Sequence, residues 1–115
     1  MITYEKHSYN CSQYAIERVN QLRNLGIKFT TGSEWQVSFI RLLRSDFTEI
    51  FKPVDGCMVV MSQKTGGLHL GVYENYGVTH NYKPNSGAGS VIISDIGTIN
   101  AEYKRVRFYD HNKAI

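Results

Sequence analysis

The sequence predicts an α+β fold, with N-terminal helices packed on a largely antiparallel β-sheet. Three observations carry this. Two stretches of helical periodicity fill the first half of the chain. After Pro53 the pattern changes to short apolar runs, and those runs are separated by turn residues rather than by further long helices. A chain of 115 residues is long enough for one core and too short for two, so a single domain over 1–115 is expected.

The first helix is predicted over residues 11–25. Asn10 or Ser8 suits its N-cap, because a side-chain oxygen there satisfies an orphan backbone N–H. Tyr14, Ala15, Val19 and Leu22 form its apolar stripe with Cys11, and Gly26 suits its end. Residues 27–32 read as a connector. A second helical pattern starts at Ser33 and carries Trp35, Phe39, Leu42 and Leu43 at helical spacing, fading over 46–51. Trp35 reads as a packing residue.

Strands follow. Asp55-Gly56 is a turn signal and 57–61 an apolar strand. Residues 64–67 form a polar turn, 68–73 a second strand and 78–82 a third, with Glu74-Asn75-Tyr76-Gly77 as the hairpin turn. Residues 84–89 read as a loop, and 91–93 and 105–109 as further strands.

Composition is that of a globular protein, and the net charge of +3 is mild. Arg41 and Arg44, and Lys104, Arg105 and Arg107, are the nearest thing to basic clusters and read as solvated faces, so no nucleic-acid partner is expected. No stretch has the length of a membrane span, and the polar N-terminus does not resemble a signal peptide. Cys11 and Cys57 are expected to be free thiols.

The chemistry centres on Tyr9-Asn10-Cys11-Ser12-Gln13-Tyr14-Ala15. In the first helical turn, free N–H groups and the helix dipole favour an anion, so a Cys11 thiolate is expected to form more easily than usual. The hairpin supplies the rest. If Glu74 and Gly77 flank a two-residue turn, His69 faces Tyr82 and His80 faces Gly71. The two histidines then share one sheet face as diagonal neighbours, about 7–8 Å apart at the backbone. A one-residue register slip would put them on opposite faces. The ordinary alternative for a strand histidine is a hydrogen-bonded or half-exposed residue.

A thiol, a base and an orienting group together make a nucleophilic constellation, with the Cys11 N–H as one oxyanion donor and the hydroxyl of Tyr4 or Tyr9 as a second. His7 and His111 receive no role. A metal held by Cys11, His69 and His80 is disfavoured, since their spacing fits no zinc pattern and no carboxylate joins them.

These stretches resemble the NlpC-type cysteine peptidases that cut peptidoglycan stem peptides, especially the short versions associated with phage tails. Residues 9–14 resemble that family's nucleophile motif. Residues 53–61 are similar to its Pro-x-x-Gly-Asp-Leu-Val segment, and 68–73 with the later His80 resemble its His-Val-Gly-Ile-Tyr segment. Asn10 stands where the family has Asp, Gln13 where it has Gly, and Cys57 where Asp is common. The sister CHAP amidases also follow their nucleophile with Tyr-Ala, and His80 favours the NlpC type.

The resemblance implies a small papain-like fold, with Cys11 as nucleophile, His69 as base and His80 as orienting residue. It also implies acyl transfer through a thioester to water without metal or cofactor. The implied substrate is a peptidoglycan fragment or peptide, and the implied setting a phage particle with other tail proteins as partners. Two alternatives keep the fold: a non-catalytic tail-tip module, and a thiol protease or transferase acting on proteins.

Overall fold

The computed structural model describes residues 10–29, 34–82 and 89–114. Its elements run α1 (Cys11–Arg23), α2 (Trp35–Asp46), β1 (Phe47–Ile50), β2 (Met58–Ser62), β3 (Leu68–Glu74), β4 (Gly77–Tyr82), β5 (Ser90–Asp95), α3 (Ile96–Glu102) and β6 (Arg105–His111). The six strands form one sheet in the order β1-β6-β2-β3-β4-β5, antiparallel at every pairing. The α+β expectation holds. Among the described residues no helix is long and apolar enough to cross a membrane.

Asn10 caps α1: its Oδ1 accepts from the Ser12 backbone N–H at 2.9 Å. The helix ends earlier than the sequence suggests, at Arg23. Asn24 takes the left-handed conformation, φ 55°, that Gly26 was expected to supply two residues on. Asn20 then ties the exit, its side chain accepting from the Ile27 N–H and donating to the Ile27 carbonyl.

The start of α2 falls beside the predicted Ser33, which lies outside the described residues, and Trp35 packs edge-on against Phe39 as a core-side residue. Two elements differ from expectation. The fading end of the second helical pattern is strand β1, and the segment after β5 is the short helix α3. The 84–89 loop lies outside the described residues apart from Gly89.

The sheet separates two cores. Cys11, Ala15, Ile16 and Val19 of α1 and Phe39 and Leu43 of α2 pack on Met58, Val60, Leu70 and Val72. On the other face Val59, Met61 and Val78 meet Ile99 of α3. Strand β2 is therefore covered on both sides, which explains why Met58 to Met61 is an unbroken apolar run rather than an alternating one. Each such side chain contributes about 1.5–3 kcal/mol through burial.

The hairpin of β3 and β4 has the predicted register, with Glu74 opposite Gly77. Asn75 and Tyr76 both take positive φ, 53° and 62°, as a two-residue turn of right-handed strand twist demands. Asn tolerates this conformation; for Tyr76 it is strained by about 1 kcal/mol.

An ion-pair staple holds α1 over this hairpin. Arg18 donates from Nε and Nη2 to the two oxygens of Glu74, at 2.9 and 2.6 Å, and the Thr79 hydroxyl donates to the same carboxylate at 2.6 Å. The Arg18 guanidinium holds the Glu74 carboxyl below the usual carboxylate range. A second pair, Arg23 to Asp110 at 2.6 Å, ties the other end of α1 to β6. Together these fix where the N-terminus of α1 meets β3.

Gly71 is the closest approach in that hairpin. A Cβ there would stand 2.6 Å from Val78 Cγ1, 2.9 Å from the Thr79 carbonyl oxygen and 3.2 Å from the His80 Cβ. Gly71→Ala is expected to destabilise the fold by about 1–3 kcal/mol, because two strands must part to admit one methyl group. Urea unfolding checks this, and an alanine variant as stable as the parent would contradict it.

Candidate active site

His69 of β3 and His80 of β4 meet each other, while Cys11 lies in the core under α1, against the Leu70 peptide. Cys11 is the first residue of α1, buried in the core beneath it. Backbone N–H groups of Leu70, Cys11 and Ser12 all favour the charged form of its sulfur. Leu70 follows His69 in β3, so the thiol is seated against the peptide next to that histidine. Alternation turns Leu70 toward α1 and His69 toward the opposite face.

The histidines meet directly. His69 Nε2 lies 2.7 Å from His80 Nδ1, a hydrogen bond whose donor depends on the tautomers, and the rings stand edge-on. The ladder register brings them close, as the hairpin argument predicts, and the missing side chain at Gly71 leaves room beside His80. His80 Nε2 lies 3.0 Å from the Ser94 hydroxyl on β5. The contacts thus run from His69 through His80 to Ser94.

Two tyrosines complete the surroundings. The Tyr103 ring is stacked parallel to His69, centroids 5.8 Å apart, and Tyr82 stands edge-on to both imidazoles. Burial pushes the Tyr103 hydroxyl well above its ordinary range, and the nearby charges of Glu102, Tyr82 and Cys11 push in the same direction. Tyr103 lies in the link between α3 and β6, and no local motif marks it in the sequence. Ser94 was equally unmarked.

The electrostatics correct one expectation. Burial raises the Cys11 thiol to about 11, outweighing the three backbone N–H groups. The easier thiolate predicted from the helix terminus is not what the fold produces: Cys11 is 3% exposed, and desolvation of the anion dominates. Burial likewise lowers His69, reinforced by the facing His80, and lowers His80. At neutral pH the resting site therefore holds a protonated thiol and two neutral imidazoles. Among the described residues no hydrogen bond joins the Cys11 sulfur to either ring.

A neutral histidine whose Nδ1 is bare can accept a thiol proton. Of the first-turn N–H groups, that of Ser12 is already taken by the Asn10 side chain. Tyr4 and Tyr9, expected as further donors, lie outside the described residues.

Cys57 precedes β2, buried and unpaired with Cys11; both cysteines are free thiols. Among the described residues no group of three or more His, Cys, Asp or Glu side chains is arranged to hold a metal ion. The basic residues Arg41, Arg44, Lys104 and Arg105 are exposed, while Arg107 is half-buried over Tyr109. No protein-family model, curated protein or solved structure matches the chain, so the site's own geometry is what bears on its chemistry.

Proposed function

We propose that the protein is a cysteine hydrolase of papain-like, NlpC type that cleaves amide bonds in peptidoglycan stem peptides. One observation carries the reading: a cysteine opening α1 is seated on the peptide beside His69, whose imidazole is hydrogen-bonded at 2.7 Å to a second histidine. On this reading His69 takes the thiol proton as the sulfur attacks the amide carbonyl, which requires the Cys11 sulfur to reach the face of β3 that carries the imidazoles. The tetrahedral oxyanion is met by the Cys11 backbone N–H. The C–N bond then breaks, the leaving amine takes the proton back from His69, and water hydrolyses the thioester by the same route in reverse.

The starting state is neutral rather than a thiolate–imidazolium pair, so proton transfer and attack are coupled. Peptidoglycan as substrate, and delivery on a phage particle among other tail proteins, rest on the family resemblance of residues 9–14, 53–61 and 68–80.

The test is incubation of the purified protein with peptidoglycan fragments, followed by assay of newly released amino groups. Release is expected. Fragments left intact over hours at high enzyme concentration would overturn the proposal.

A second reading, a non-catalytic tail-tip module of the same fold, is favoured by the burial of the thiol. Under it, iodoacetamide at neutral pH leaves Cys11 unmodified and peptidoglycan fragments stay whole. A thiol protease or transferase acting on proteins would use the same residues and would show itself by cleaving or modifying a protein substrate while sparing the fragments.

A further inference from the structure

We infer that a cavity between α2 and strands β2 and β6 is a binding site for an apolar carboxylate, received by Arg44 and Arg107. The site stands apart from the hydrolase reading, because its occupancy is seen as binding rather than turnover.

The cavity has a volume of about 350 Å³. Its walls are Ile40 and Leu43 of α2, Phe47 of β1, Val60 of β2 and Leu68 at the start of β3. It lies on the sheet face that packs against α1 and α2, opposite the face that carries His69 and His80. Such a volume holds about twelve non-hydrogen atoms, taking about 30 Å³ for each as for a water in the liquid. Apolar walls with a few convergent polar groups are the usual make-up of a small-ligand pocket.

The convergent groups here are two guanidiniums. Arg44 and Arg107 come from separate basic clusters in the sequence, each read as a solvated face, and the fold sets one from each in a single cavity. Arg44 follows Ile40 by one turn on the same side of α2. Arg107 pairs with Val60 in the β2–β6 ladder and lies past the end of β1, whose Ile50 pairs with Phe108.

No carboxylate is among the described residues that line the cavity. The ion pairs among the described residues are Arg18–Glu74 and Arg23–Asp110, and neither uses these arginines. Glu49, the carboxylate that β1 brings to this face, is exposed opposite Tyr109 and pairs with neither of them. Arg107 is nonetheless held in place. Its guanidinium carbon lies 5.9 Å from the centre of the Tyr109 ring, and its Nε is withdrawn from solvent with no hydrogen-bond partner.

A guanidinium partly stripped of water and lacking a counter-ion attracts an anion more strongly than one on an open surface, where water screens the pair. Its planar edge matches a carboxylate, which can accept two parallel N–H bonds. The ligand that suits walls and charges together is one carboxylate on an apolar body. A small aliphatic or aromatic acid has that chemistry, and so has the C-terminus of a peptide ending in an apolar residue.

The experiment is titration of the full chain with 4-phenylbutyrate, followed by methyl 1H–13C correlation, with 4-phenylbutyramide as the uncharged match. The acid is expected to bind with a Kd of about 1 mM or tighter and to move the methyl signals of Ile40, Leu43, Val60 and Leu68. The amide should bind at least about tenfold more weakly. Arg107→Met, which keeps an unbranched side chain and drops the charge, should weaken the acid about tenfold and leave the amide unaltered. Acetyl-Leu-Phe with a free C-terminus forms a second arm. Tighter binding than phenylbutyrate identifies a chain end as the occupant, and weaker binding a small acid.

Acid and amide of equal affinity in the parent would overturn the carboxylate site, whether or not Arg107→Met folds. So would signal changes confined to residues outside the cavity, or none at about 10 mM acid. If the acid binds as described while peptidoglycan fragments stay whole, this site stands and the hydrolase reading falls.

Discussion

Cys11→Ala is expected to abolish release of amino groups from peptidoglycan fragments, and His69→Ala to lower kcat by at least about 10³-fold. Losses of that order accompany removal of a nucleophile or its base where the remaining site supplies only binding and oxyanion contacts. The thiol is buried, so Cys11→Ala removes one sulfur from a packed site and leaves a small void. The resulting loss of stability is expected to be about 1 kcal/mol, too little to unfold the chain.

His80→Ala should be milder than His69→Ala, because it loosens the base without deleting it. Initial rates alongside unfolding curves separate the two effects. Turnover retained in Cys11→Ala would remove the sulfur from the mechanism.

Acid should destabilise the fold well before the carboxylates titrate. In the unfolded chain both histidines protonate near 6.5, whereas in the fold burial depresses His69 to about 3 and His80 to about 4. Between those limits the unfolded state binds protons that the native state refuses, so stability falls as pH falls. The sign is that of a base lowered by folding: no effect above about pH 7, and a growing loss below 6.5.

Each histidine contributes a slope of up to about 1.4 kcal/mol per pH unit, which makes a combined loss of about 3–5 kcal/mol by pH 4.5. That is a large part of the stability of an ordinary domain. Glu74, held below its usual range by Arg18, adds a loss in the same direction at lower pH. Urea midpoints at pH 7 and pH 4.5 measure the drop, and His80→Gln should flatten it. Equal midpoints in the parent at both pH values would show that the imidazoles are not buried as neutral bases.

What the sequence made legible depended on how local its causes were. The α1 start was readable because Asn10 caps with its own side chain, and the hairpin because Asn75 accepts the left-handed turn that fixes Glu74 opposite Gly77. That register carried the pairing of His69 with His80. Strand β1 was obscured because Phe47-Thr48-Glu49-Ile50 is short and exposed at its middle, and continues directly from a helix. Helix α3 was obscured by Gly97, although Asp95 caps it by accepting from the Thr98 N–H at 2.8 Å.

Tyr103 and Ser94 join the site through the fold alone, one across the second core and one across the β4–β5 register. The raised thiol has an equally non-local cause. A helix terminus is a local feature, whereas the burial that outweighs it comes from strands about sixty residues away in the chain.

The most direct test of the central claim, that the Cys11 sulfur is acylated with His69 as its base, is a mass measurement. The protein is mixed with a p-nitrophenyl ester of a stem-peptide acyl group, quenched in acid and digested. One acyl increment is expected on the peptide carrying Cys11, none on the peptide carrying Cys57, and a much slower increment in His69→Ala. Acylation at Cys57, or at Cys11 with equal speed when His69 is alanine, would contradict it.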